Sequence, residues 1–224
     1  MVILIDEGHI INKGASGILS ETSVNRAVGK ELINVLRSAG HTVIDCTDNN
    51  LELAGRVQKA NAQKADLFVS LHCNAFNGNA YGTETFVYNG NYSGKENNKA
   101  IAKRVNDSVV SAFGFTNRGV KEDNFYVLRE TIAPAILIEM FFCDNSGDCN
   151  KYGGNAVKMA RAIANGIDSK IPVNVPSKPS TPVPSGDTYF RVVCGSYKDR
   201  KNAEAQMAKL KKAGFDCFLD AYKK

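Results

Sequence analysis

Along the first 170 residues the apolar positions alternate between two spacings. Short, mostly apolar runs at 2–5, 67–71 and 135–140 predict buried strands, and stretches with apolar residues three and four apart predict helices packed on them. A helix beginning near Thr22 carries Val24, Val28, Leu32, Val35 and Leu36 on one face and stops at Gly40. A strand at 42–45 and a helix over 51–65, with Leu53, Val57 and Ala60 inward, follow. Further on come a strand at 83–88, a helix over 97–113 through Ile101, Val105, Val109 and Ala112, a short extended or turn segment at 125–128, and a closing helix over 156–171. Strands and helices that alternate in this way predict an α/β fold. Its expected form is a three-layer sandwich, with a mostly parallel central sheet flanked by helices.

The pattern then breaks. Five of the six prolines, Pro172, Pro176, Pro179, Pro182 and Pro184, fall within fourteen residues or so of one another, and such a stretch stays extended and builds no core. Residues 171–186 therefore read as a linker between a domain over 1–170 and a module over 187–224. The module shows a strand at 189–195, a helix over 199–213 with Ala203, Met207 and Leu210 on one side, and a strand at 217–221. A βαβ unit this small cannot bury much of itself, so it is expected to dock on something or to pair with a copy of itself.

Composition changes this picture little. Apolar residues at 43% and charged residues at 23% exclude a disordered chain, and the strongest apolar run is broken by Glu139, so no membrane insertion is expected. The opening MVILIDEGHI meets Asp6 and Glu7 at once, without a basic region or a cleavage site, and reads as a strand instead of a signal peptide. Synthesis in the cytoplasm without a signal is the expectation. Of the net charge of +5, most lies in the module, which has nine Lys or Arg against five Asp or Glu. That bias suits an anionic surface or nucleic acid, and equally a solvated helix face. The six cysteines include no CxxC pair and read as free thiols.

Three histidines occur, and two of them, His9 and His72, directly follow core strands. In parallel α/β sheets the carboxyl ends of strands are where ligands collect. Either histidine alone could merely bind a loop, a role that His41, in a helix-to-strand turn, fits best. Glu21 precedes a helix, where a carboxylate is favourable for the helix dipole alone. Glu139 interrupts AILIEMFF, where an unpaired carboxylate is costly. It faces a metal or substrate, or it belongs to a buried salt bridge.

Taken together, ILIDEGH, GILSETSVN, VSLHCNA and AILIEMFFCDN, in this order, resemble the signatures of the zinc-dependent N-acetylmuramoyl-L-alanine amidases found in bacterial autolysins and phage endolysins. The resemblance spans roughly residues 1–170. It implies His9, Glu21 and His72 as ligands of one Zn2+ and Glu139 as the catalytic glutamate, acting on the amide between N-acetylmuramic acid and L-alanine in peptidoglycan. Two imidazoles and a carboxylate leave a fourth position open for water. The family usually has a small residue or Pro where this chain has Glu7, and Gly where it has Ile10, which bears on loop shape and specificity. Asn74, the loop 77–82, Asn124 and Arg129 are expected to border the substrate.

The segment YFRVVCGSYKDRKNAEAQMAKLKKAGFDCFLDAY resembles half of a SPOR module, a fold associated with peptidoglycan glycan strands. A homodimer completing the fold across two copies is the expectation. Nucleic acid is not an expected partner, although Tyr189, Phe190 and Arg191 superficially resemble an RNA-binding strand. Two other functions stay open: a wall-binding protein without catalysis, and a zinc peptidase cutting within the stem peptide. Without a signal peptide, the enzyme is expected to reach the wall by holin-like or lysis-dependent delivery.

Overall fold

A computed structural model describes residues 1–9, 14–47, 51–174 and 198–212. The chain divides into two compact units, Met1–Pro176 and Ser177–Lys224. In the first unit six strands form one sheet: β1 (Val2–Glu7), β2 (Thr42–Asp45), β3 (Leu67–Asn74), β4 (Thr83–Tyr88), β5 (Asn117–Asp123) and β6 (Ala135–Phe142). Their spatial order is β2-β1-β3-β6-β4-β5. Every neighbouring pair is parallel except β4 and β6, which run antiparallel, so the mostly parallel sheet expected from the alternation is what forms.

The two-residue period of the strands sorts their side chains into two cores. On one face, Ile3, Ile5, Val69, Leu71, Ile136 and Ile138 are buried. They meet α1 (Glu21–Ser38), α3 (Lys95–Phe113) and α6 (Ala156–Ile167), which present Val24, Val28, Leu32, Val105, Val109 and Ile163. Each such fully buried side chain contributes about 1.5–3 kcal/mol. On the other face Leu4, Phe68, Phe86 and Leu137 pack under two short helices, α2 (Leu53–Asn61) and α4 (Tyr126–Arg129), through Val57, Ala60, Val127 and Leu128. Arg56 of α2 fastens this layer by an ion pair with Asp6 of β1 at 2.6 Å, and Ser70 donates to the same carboxylate at 2.8 Å. This second apolar cover reaches Phe68 and Leu137 and goes no further along β3 and β6. Beyond them on the same face lie Ser70, which is bound to Asp6, and then the paired positions His72 and Glu139, which are left for chemistry.

Three elements depart from the sequence expectation. The turn expected at 125–128 is helical, as α4. Strand β5 was hidden because NRGVKED is a polar edge strand that buries no side chain fully. Helix α5 (Ser146–Tyr152) is a short element capped by Asn145, whose side chain accepts from the Asp148 N–H. In the second unit, the expected tail helix forms as α7 (Arg200–Lys212) with no buried residue among those described. The strands expected at 189–195 and 217–221 lie outside the described residues. No described helix is long and apolar enough to cross a membrane, and the four described cysteines, Cys46, Cys73, Cys143 and Cys149, are buried free thiols.

Candidate metal centre

Three chain segments bring His9, Glu21 and His72 together. His72 lies on β3 and Glu21 opens α1, while His9 follows β1 in a left-handed conformation with φ of 65°. Such a backbone costs a β-carbon-bearing residue roughly 1–2 kcal/mol, so the surroundings must hold it. Glu21 Oε1 lies 2.8 Å from His72 Nδ1 and 3.3 Å from His9 Nε2, and one donor atom from each residue falls within 4.8 Å of the others. A tetrahedral ion with ligand bonds near 2.1 Å needs donors about 3.4 Å apart. The donor set and its spacing fit zinc. Glu21 is further fixed by the Ala15 N–H on Oε2 at 2.6 Å and the Cys73 N–H on Oε1 at 3.2 Å. Burial alone would raise its carboxyl, but the hydrogen bonds to His72 and His9 outweigh burial and hold it well below the usual carboxylate range. Two glycines make room for the cluster. A β-carbon on Gly8 would overlap the His72 ring, and one on Gly14 would strike Glu21 and the His9 ring.

The same helix that supplies Glu21 also clamps the His9 loop. Asn25 donates to the Gly8 carbonyl at 3.3 Å, and Arg26 donates to the carbonyls of Glu7 and, at 2.7 Å, of His9. Consecutive carbonyls of the turn are thus tied to α1, which explains how His9 is kept in its unfavourable backbone. Glu7, where the resembling family has a smaller residue, fits because Arg26 Nε lies 3.4 Å from its carboxylate and Gly29 leaves no side chain in its way. Burial, and then Asp45, push the Glu7 carboxyl up to about 7 against the pull of Arg26. Ile10 lies outside the described residues.

Glu139 sits on β6 in register with His72 on β3 and with Glu84 on β4, so the three side chains form a row across one sheet face. Its Oε2 atom is buried without a hydrogen-bond partner. Among the described residues no cation is paired with it, so nothing there supports the salt-bridge alternative. Burial raises its carboxyl to about 7; His72 opposes the rise, and Glu21 and Glu84 add to it. His72 shows the balance from the other side: burial works against its proton, yet Glu21 and Glu139 raise its pKa.

Asn74 ends β3 beside this row and donates to Glu84 Oε1 at 3.1 Å. The loop 77–82 is held nearby, with the Gly78 N–H on Asp144 and the Gly82 N–H on Asp148. Asn124 and Arg129 are not brought here. They bind each other at 3.0 Å beyond the Asp123 end of β5, which pairs with Tyr88. Tyr88 is four residues along β4 from Glu84, roughly 13 Å away. The reason is the direction of β4 and β5, whose carboxyl ends point away from those of β3 and β6. Arg118 and Lys121, earlier on β5, reach Glu84 instead. Sequence reasoning missed Asn25, Arg26, Glu84, Arg118 and Lys121. Only Glu84 had a signal in the sequence, as a carboxylate inside the predicted strand TETFVY. His41 binds Asp168 at 3.2 Å and takes no part.

Comparison with known proteins agrees with this geometry. Residues 3–169 match the family model described as N-acetylmuramoyl-L-alanine amidase, and residues 155–220 match that of the SPOR domain. The two overlap at 155–169, where the chain forms α6, packed on α1 and α3, so those residues belong to the first unit. The chain is 39% identical over 173 residues to the uncharacterized protein YqiI of Bacillus subtilis (strain 168), covering 75% of this chain and 83% of that protein. It is 29% identical over 225 residues to the sporulation-specific N-acetylmuramoyl-L-alanine amidase of the same organism, covering 97% of this chain and 83% of the relative. Among solved structures, the catalytic domain of the CD27L endolysin targeting Clostridia difficile superimposes with a TM-score of 0.66 at 30% identity, over 75% of this chain and 96% of that one.

Proposed function

The chain belongs to the N-acetylmuramoyl-L-alanine amidase family, and we propose that four side chains divide the work of its reaction: His9, Glu21 and His72 hold one Zn2+, and Glu139 carries the proton. The reaction hydrolyses the amide between the lactyl group of N-acetylmuramic acid and the L-alanine of the peptidoglycan stem peptide. Zinc, when bound, supplies Lewis acidity that activates water and polarises a carbonyl. Glu139 Oε2 accepts the proton of the attacking water and delivers it to the alanine nitrogen as the amide breaks, so that the amine leaves neutral. A carboxyl raised to about 7 suits a group that must take and return a proton near neutrality. Asn25 and Arg26 keep His9 aimed at the metal, and Asn74 borders the peptide side of the cleft.

One observation carries this reading: a buried carboxylate oxygen with no partner, one strand away from a His/Glu/His cluster of zinc-ligand spacing. Zinc-loaded protein is incubated with purified sacculi and the products are weighed by mass spectrometry. Intact glycan and stem peptides with a free L-alanine amine are expected, with clearing abolished by chelator and restored by zinc. Cuts inside the stem peptide would establish a peptidase instead, and binding without release would establish a wall-binding protein.

Residues 1–170 form the catalytic part in this proposal, 171–186 a linker, and 187–224 a SPOR-like module that keeps the enzyme on its insoluble substrate. The match to a SPOR model and the lysines of the last turn of α7, Lys209, Lys211 and Lys212, support attachment to an anionic wall. Pairing of two half modules in a homodimer completes the proposal, with delivery by lysis or a holin-like route. Sedimentation of the full chain at micromolar concentration tests the pairing, and a monomer would overturn it.

A further inference from the structure

The row that runs from His72 through Glu139 to Glu84 ends on β5 with two cations. Arg118 Nε donates to Glu84 Oε2 at 2.8 Å, and Lys121 pairs with the same oxygen. One cation is enough to neutralise one carboxylate, so this group holds an excess positive charge. The Glu84 side chain is 3% exposed, whereas those of Arg118 and Lys121 are 33% and 40% exposed. Glu84 therefore anchors both cations from below while their outer sides stay open to solvent. Arg118 is also laid over the Phe142 ring at 5.0 Å and donates through Nη1 to the Tyr81 carbonyl at 3.4 Å. Among the described residues its Nη2 makes no hydrogen bond. A guanidinium fixed in this way is ready to receive a carboxylate without first being ordered.

Resting on the amidase reading and deepening it, we infer that Arg118 and Lys121, preset by Glu84, form a subsite for the free carboxylate of the stem-peptide residue that follows the alanine. The spacing agrees. Strands lie about 4.8 Å apart, so β5 is roughly 10 Å from β6, where Glu139 handles the alanine nitrogen. Two extended residues span about 7 Å, and the long cationic side chains close the remaining gap. A peptide whose alanine nitrogen lies at Glu139 and which crosses β4 thus brings its second residue to the cations. Binding there would fix the direction of the peptide and select stem peptides whose second residue is a free acid over those in which it is an amide.

The zinc-loaded full chain is assayed on two soluble muropeptides that differ only at the second residue, one with a free carboxylate and one with the carboxamide. The acid is expected to have the higher kcat/KM, by about tenfold or more, as for a hydrogen bond to a charged group. In Arg118→Gln the acid's KM should rise with little change in kcat, and the preference should fall toward parity. Lys121→Gln, at a more exposed position, should lower the preference in the same direction and serves if the first variant does not fold. A wild type indifferent to amidation, or variants that slow both substrates equally through kcat, would overturn the subsite while leaving the amidase intact. Wild-type protein that cuts neither substrate yet releases stem peptide from sacculi would also reject it, whereas cleavage of neither and no release would reject the amidase reading as well.

Discussion

Glu139 and Glu84 face each other across β6 and β4, Glu84 buried and Glu139 half-buried with its Oε2 out of water, and their surroundings are opposite. Glu84 receives Asn74, Arg118 and Lys121. Glu139 has an oxygen with no partner, and burial holds its carboxyl near 7. Glu84 is the more deeply buried of the two, so burial alone does not mark a reactive group. The partners decide: one carboxylate is a fixed anchor and its neighbour is left available to a proton.

Glu139→Gln separates the two most sharply. Cleavage of sacculi should fall by about 10²–10⁴-fold, the usual scale of a lost general base, while zinc affinity measured by chelator competition stays near that of wild type. Loss of zinc together with activity would mean that Glu139 supports the metal site instead of moving protons. In zinc-free protein the same change should leave urea stability unchanged or raised, because a neutral amide is cheaper to bury than an unpaired carboxylate.

The clamp on His9 comes next in size. Arg26→Met frees the carbonyls of Glu7 and His9 and should weaken zinc binding by about 10–100-fold, as loss of an outer support does. Arg26→Lys should recover little of it, since one ammonium cannot span both carbonyls. Unaltered affinity in the methionine variant would show that Asn25 and Glu21 hold the turn without it.

Glu84→Gln should do the reverse of Glu139→Gln. It strands two cations over a buried amide and should cost about 1–3 kcal/mol in urea unfolding; a neutral outcome would mean that solvent screens Arg118 and Lys121 fully. The smallest effect belongs to the outlying pair of His41 and Asp168. The Lys170 N–H, and then His41, hold the Asp168 carboxyl below its ordinary value. A depressed carboxyl stabilises the fold above its unfolded-state pKa, and that contribution disappears as pH falls through the native value. Asp168→Asn should therefore lower the thermal midpoint slightly at neutral pH, with the difference closing in acid. A gap that widens in acid would contradict the assignment.

Much of this was legible in the order of residues. Period-two and period-three-to-four spacing located β1, β3, β4, β6, α1, α3 and α6, because each buries a continuous apolar face that the sequence must display. His9 and His72 could be suspected because they terminate such strands, and Glu139 because it breaks one. Strand β5 could not be read from NRGVKED, since an edge strand needs no apolar alternation and its register is set by a neighbour about 35 residues away. That Asn124 and Arg129 lie at the far end of β5 was hidden for a related reason: the chain does not reveal that β4 and β5 run against β6.

The sequence by itself determined the layered α/β plan, the candidates His9, His72 and Glu139, and the break into a basic tail, because burial periodicity and side-chain chemistry are local properties; Glu21 joined them only through the resemblance to a family. Tertiary structure alone decided which carboxylate remains unpaired, how α1 grips the His9 turn, and which cations gather on Glu84. Those depend on strand order and direction, and it is the sheet that brings residues distant in the chain to within hydrogen-bonding distance.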